Sequence, residues 1–253
     1  PVCSSLGSTH AIVVWRSNHD GNAAGMYGVY AQIIDSSGST VGSEFRVDDG
    51  TTDSNGGTSV SPIGSNRAII TWSALVTGED RQYNYRALYA QIITDQGQKI
   101  GSVFQLNSKA HRTISAQCAA PLGFNRAIIV FIGSLSYTGS SSTRTYALVV
   151  DSEGNKLGSE FLVSDNSHSQ SEMMMGSRSP AVSTFKDSNS FTVAWLAESN
   201  GVLDKHYMRM YTILSGGFDC QIIPQPGFYC PEHKSTTDIL ICPSGFFCTG
   251  GNT

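Results

Sequence analysis

Charge is scarce in this sequence. Only 14% of its 253 residues are Asp, Glu, Lys or Arg, against the quarter usual for soluble domains. A net charge of −4 leaves no basic stripe to release counterions from phosphates, which argues against nucleic acid as the main partner. Long apolar runs are missing as well. Runs such as Ala127–Ile132 fall far short of the roughly 20 residues that span a bilayer as a helix. Reaction motifs are lacking too: there is no Gly-x-Ser-x-Gly elbow, His-Glu-x-x-His pair or Walker loop. The six histidines (His10, His19, His111, His168, His206 and His233) are scattered. The expectation is a protein that is not an enzyme. Asn-x-Ser/Thr sequons are absent, leaving the Ser/Thr runs 140–143 and 235–237 as acceptors for O-linked sugars.

What is present is a repeat. An apolar run ending in an aromatic occurs four times: Ala11-Ile-Val-Val-Trp15, Ala68-Ile-Ile-Thr-Trp72, Ala127-Ile-Ile-Val-Phe131 and Phe191-Thr-Val-Ala-Trp195. A tyrosine-led strand follows each: Tyr30-Ala-Gln-Ile-Ile, Tyr89-Ala-Gln-Ile-Ile, Tyr146-Ala-Leu-Val-Val and Tyr211-Thr-Ile-Leu. In three copies a glycine turn (Gly38, Gly97, Gly154) then leads to a short strand ending in Phe45, Phe104 or Phe161. Each of these phenylalanines lies 15 residues after its tyrosine. Such constancy marks a hairpin whose register is fixed, because a one-residue slip turns every side chain to the wrong face. A further strand precedes each run, at 3–7, 60–64, 118–123 and 180–185.

Each copy therefore reads as a four-stranded antiparallel meander, and the continuous apolar run as a strand covered on both faces. One meander cannot bury both faces alone, so the copies must pack on one another. The expected fold is all-β, with four such repeats over residues 1–219 arranged as a four-bladed β-propeller. A linear array of sheets and part of a larger ring are the alternatives. The fourth copy departs from the pattern after Leu214, as terminal repeats do. The chain begins at Pro1 and stops soon after a cysteine motif, so it reads as a piece of something longer.

Residues 220–253 differ in composition and form an expected cysteine-rich segment. Gln225-Pro-Gly-Phe-Tyr-Cys230-Pro is echoed by Cys242-Pro-Ser-Gly-Phe-Phe-Cys248. This pattern resembles the ephrin-receptor-like cysteine-rich repeats of extracellular proteins, which implies a stalk or spacer and no activity. Cys220, Cys230, Cys242 and Cys248 are disulfide candidates, with three connectivities open. Cys3 and Cys118 form another candidate pair, across the channel of a closed ring; the alternative is a buried Cys118 and a Cys3 with no partner. Six cysteines in this pattern imply an oxidising, extracellular or cell-surface location. The repeats resemble the tandem Trp…Tyr-Ala-Gln…Asp-x-x-Gly…Gly-Ser-Glu-Phe units of large secreted or surface proteins of bacteria and protists. That resemblance implies adhesion, matrix or filament assembly.

Two loops place oxygen ligands on alternate residues, as flexible calcium loops do: Asn18, Asp20 and Asn22, and Asp48 to Asn55. No other cofactor is expected. The connections Ser17–Met26, Ser73–Arg86, Gly133–Arg144 and Ala197–His206 are long and unalike, and would cluster on one rim. Tyr83, Tyr85, Tyr137 and Tyr207 are the rim aromatics that could stack on sugar rings. The function expected first is a non-enzymatic structural or adhesive module of an extracellular assembly, its partners being other copies or other extracellular proteins. A carbohydrate-binding propeller is the alternative, and a glycosidase, with Glu79, Asp80, Glu198 and Asp204 as its carboxylates, a third.

Overall fold

The structure is a computed structural model that describes residues 1–19, 26–51, 53–54, 56–77, 84–108, 113–123, 125–134, 144–163, 180–185, 189–199 and 202–212. It is all-β. Strands β1 (Val2–Leu6), β2 (His10–Ser17), β3 (Gly28–Asp35) and β4 (Thr40–Arg46) form the first sheet in that order. The second contains β5 (Thr58–Pro62), β6 (Arg67–Thr77), β7 (Asn84–Thr94) and β8 (Lys99–Gln105). The third contains β9 (Thr113–Pro121), β10 (Arg126–Ser134), β11 (Arg144–Asp151) and β12 (Phe161–Leu162). The fourth shows three described strands, β13 (Ala181–Thr184), β14 (Ser190–Ser199) and β15 (Val202–Thr212). Every pairing is antiparallel, so each repeat is one meander.

Strand geometry explains how the apolar run serves two neighbours. Successive side chains point to opposite faces, so residues one, three and five of the run form an odd face and residues two and four an even face. One apolar cluster joins Ile12 and Val14 of the first sheet to Ala68, Ile70 and Trp72 of the second. The next joins Ile69 to Ala127, Ile129 and Phe131. The third joins Ile128 and Val130 to Phe191, Val193 and Trp195. Each junction therefore sets an even face against the odd face of the following sheet. Burying one such Ile, Leu or Phe stabilises by about 1.5–3 kcal/mol. A run apolar on both faces is what a sheet with two neighbours requires.

Turns and outer strands lock the same junctions. A Cβ on Gly7 would lie 2.7 Å from Asn66 Oδ1 of the next sheet, and one on Gly64 would lie 2.8 Å from Asn125 Oδ1. At the other end of the meander, Phe45 packs beneath the turn at Gly97 and Phe104 beneath the turn at Gly154. Arg67 donates to the Ser152 carbonyl at 3.0 Å, Lys99 to the Asp48 carbonyl at 3.2 Å, and Ala119 N–H to Ser59 Oγ at 3.0 Å. In the first and third glycine turns the leading aspartate organises the backbone. Asp35 Oδ1 accepts from the N–H groups of Ser37 and Ser39, and Asp151 Oδ1 from those of Glu153 and Asn155. The Ser37 hydroxyl and the Ser39 N–H hold the Asp35 carboxyl below its ordinary pKa. In the second copy Thr94, not Asp95, takes that place.

Three details differ from the sequence reading. The third hairpin is bulged in the first two copies, between Ala31 and Ile33 and between Ala90 and Ile92. The side-chain amides of Gln32 and Gln91 bridge those bulges, Gln91 Nε2 donating to the Ile92 and Ile100 carbonyls at 3.2 and 2.9 Å. Leu148 stands at that place in the third copy, and the outer strand there shrinks to Phe161–Leu162. In the fourth copy Tyr207, not Tyr211, pairs with the aromatic that ends the run, Trp195. Tyr211 instead lies opposite Phe191, their rings stacked at 5.1 Å.

Candidate functional site

The second and fourth rim connections are shorter than their sequence suggests, because strand pairing continues beyond the apolar runs. Val76 pairs with Tyr85 and Ser199 with Val202, which places Glu198, Asp204, Tyr85 and Tyr207 on strands. Tyr83, Tyr137, Glu79, Asp80, Cys220, Cys230, Cys242 and Cys248 lie outside the described residues, as does the whole segment 220–253.

Of the two oxygen-rich loops, Asp20, Asn22 and Asn55 lie outside the described residues. The carboxylates of the second loop are occupied by protein donors. Buried Asp48 accepts from Val29 N–H at 3.2 Å and Ser54 Oγ at 2.8 Å and pairs with Arg46. Asp49 accepts from Thr51 N–H and hydroxyl, and Asp53 from Tyr27 N–H at 2.9 Å. Asp48 fastens the outer strand to the start of β3. Asn107 repeats this device in the second copy, accepting from Leu88 N–H at 2.8 Å. No group of three or more metal-binding side chains is found among the described residues.

The two described cysteines, Cys3 and Cys118, are free thiols. Register gives the reason. Cys3 lies opposite Val13, on the odd face of the first sheet, and Cys118 opposite Val130, on the even face of the third. The two thiols face away from each other with the second sheet between them. Cys118 is packed into the third junction, where burial pushes its thiol up to about 12 despite a hydrogen bond from the Val182 backbone. Cys3 is exposed.

Two sheet faces differ in burial from their equivalents among the described residues. Ala11, Val13 and Trp15 on the odd face of the first sheet are only partly buried. Their equivalents in the second and third sheets, Ala68, Ile70, Trp72, Ala127, Ile129 and Phe131, are sealed. At the other end, Met210 lies opposite Thr192 and Met208 opposite Ala194, on the even face of the fourth sheet. Met208 is 74% exposed and Met210 47%, whereas Ile33, Ala31, Ile92, Ala90, Val149 and Ala147 at the same places are buried. Among the described residues no apolar cluster joins the fourth sheet to the first. At one corner of the first face, His19 leans on Tyr30 with ring centroids 4.4 Å apart, and its Nε2 lies 3.1 Å from Glu44. That corner is the place where the second and third copies have a preceding sheet.

These are two sheet faces less covered than their equivalents among the described residues, one on the first sheet and one on the fourth. Sequence reading by copies missed them, although one signal was present. Methionines replace the Ala and Ile of the earlier copies in Tyr207-Met-Arg-Met-Tyr211. Neither a protein-family model nor a curated protein sequence matches the chain. The chain is thus defined by its class alone, a tandem repeat of antiparallel sheets. No helix among the described residues is long and apolar enough to cross a membrane.

Proposed function

We propose that this protein is a non-enzymatic structural or adhesive module of an extracellular assembly, such as a surface filament, appendage or matrix. One observation carries the reading: equivalent positions of each repeat are spent on joining one sheet to the next. Ile12, Ile69 and Ile128 look forward, and Ile70, Ile129 and Val193 look back. Repeats that conserve their intersheet contacts build a stiff, quasi-linear body whose stability is a sum over neighbours. Stiff bodies of this kind serve as spacers and scaffolds. The resemblance of residues 225–248 to ephrin-receptor-like repeats supports an extracellular setting, with that segment as a disulfide-bonded spacer. The ring form of the fold, a propeller, belongs to this same reading.

Electron microscopy of the purified full chain, with size-exclusion chromatography across a range of concentrations, tests it. Ordered filaments, sheets or rods are the expected result. A monomer at every concentration that also leaves extracellular matrix and cell surfaces unbound would defeat the reading.

A further inference from the structure

We infer that the junction between the second and third sheets holds a binding site for a small hydroxylated carboxylate, made by Thr71, Ser73, Arg86 and Gln117. The inference goes beyond the structural role proposed above and does not depend on it.

Four polar side-chain atoms in that junction are buried with no hydrogen-bond partner among the described residues: Thr71 Oγ1, Ser73 Oγ, Arg86 Nη1 and Gln117 Oε1. Strand register brings them together. Thr71, Ser73 and Leu75 follow Ile69 on the even face of β6, and Arg86 lies opposite Leu75 on β7. Residues opposite each other share a face. Leu88 and Ala90, opposite Ser73 and Thr71, belong to the same apolar cluster as Phe131 and Tyr146 of the third sheet. Thr71, Ser73 and Arg86 therefore look toward that sheet. Gln117 comes from the other side. Its amide donates to the Gly57 carbonyl, which also accepts from Ser73 N–H at 3.3 Å. Gln117 thus sits beside Ser73.

The third sheet places Val130 and Ile132 where the second has Thr71 and Ser73, so the repeat itself does not require these hydroxyls. Thr71 is 0% exposed, Ser73 1% and Gln117 6%. Buried polar groups are almost always hydrogen-bonded, because leaving one unpaired forfeits its hydration for nothing. Water would satisfy a hydroxyl, but a sealed guanidinium nitrogen calls for an anion. Its planar fork matches a carboxylate, and both hydroxyls can donate to the same group. Arg144, opposite Gly133 on the third sheet, adds positive charge to the junction. Gln117 Oε1 can only accept, so the ligand must also carry a donor. An ammonium is disfavoured beside two guanidiniums, which leaves a hydroxyl. A hydroxy acid or an acidic sugar has this combination.

The test is isothermal titration calorimetry of the full chain with lactate, glucuronate, glucose and phosphate, repeated on Arg86→Gln and Thr71→Val. One of the two hydroxycarboxylates should bind one to one, and glucose should not. Arg86→Gln should weaken that binding about tenfold or more, and Thr71→Val by less. Ligand-free melting curves check that each variant folds, and Arg86→Lys, which keeps the charge and loses the fork, replaces Arg86→Gln if that variant does not. No binding of either hydroxycarboxylate overturns the inference, as does binding that the Arg86 variant leaves unchanged. Phosphate bound more tightly than both overturns the ligand class.

Discussion

Ile129 and Val13 hold the same place in their sheets, yet one is sealed and the other only partly buried. The same contrast separates Ala147 from Met208. Among the described residues the second and third sheets pack against a sheet on each side, and the first and fourth against one. What a repeat position contributes is therefore set by whether a neighbouring sheet is present and only secondarily by residue type. A stability map of the protein should follow sheet position along the stack.

The sharpest way to break this contrast is truncation at the aromatic that ends the run. Phe131→Ala should cost about 3–5 kcal/mol in urea unfolding, as deletions of sealed aromatics do. Trp15→Ala, at the equivalent open position, should cost less than half of that. Equal losses would show that the outer face is as tightly packed as the inner one. A smaller effect is expected at the bulge clamps. Gln91→Ala removes a buried donor from the Ile92 and Ile100 carbonyls and should cost about 1–3 kcal/mol. Gln32→Ala, in the half-buried copy of the clamp, should fall at the low end of that range in the same assay.

The glycine turns offer a finer comparison. Gly97→Ala combines a φ of +79° with a Cβ placed 3.3 Å from Phe45 and should cost about 1–2 kcal/mol or slightly more. Gly38, at φ +85°, meets nothing within 4 Å; Gly38→Ala should show the conformational cost alone. Thermal melts of the two variants measure the difference.

The smallest effect concerns the thiols. Cys118 should resist a maleimide reagent at pH 8 in the native protein while Cys3 is labelled, as read by peptide mapping. Because burial raises the folded Cys118 pKa to about 12 from an ordinary value of 9, the folded state holds the proton longer than the unfolded state. Its contribution to stability is then complete below about pH 9 and is lost as pH rises toward 12. The stability difference between wild type and Cys118→Ala should shrink over that window. An unchanged difference would mean that the thiol is not buried in solution.

Much of the fold was legible because apolar runs, strand-leading tyrosines and turn glycines act locally. Ala127-Ile-Ile-Val-Phe131 has no polar alternation and declares a strand covered on both sides. The register of the fourth copy was not legible. Tyr207 and Tyr211 are four residues apart and share a face, so either could oppose Trp195 without changing which side is apolar. The choice falls to Tyr211 stacking on Phe191 and to the short connection after Ser199. The faces of Cys3 and Cys118 were not legible for a similar reason: both lie in leading strands, but the parity of their pairing with Val13 and Val130 turns them to opposite faces. The exposure of Met208 and the partial burial of Val13 depend on packing between copies, which no single copy of the repeat encodes.

The central claim, that a strand covered by a neighbouring sheet on both faces is the most firmly held, is most directly tested by native-state hydrogen exchange on the full chain. The amides of β6 and β10 should exchange most slowly, and those of β2 and β14 faster. Equal protection of all four strands would contradict the account.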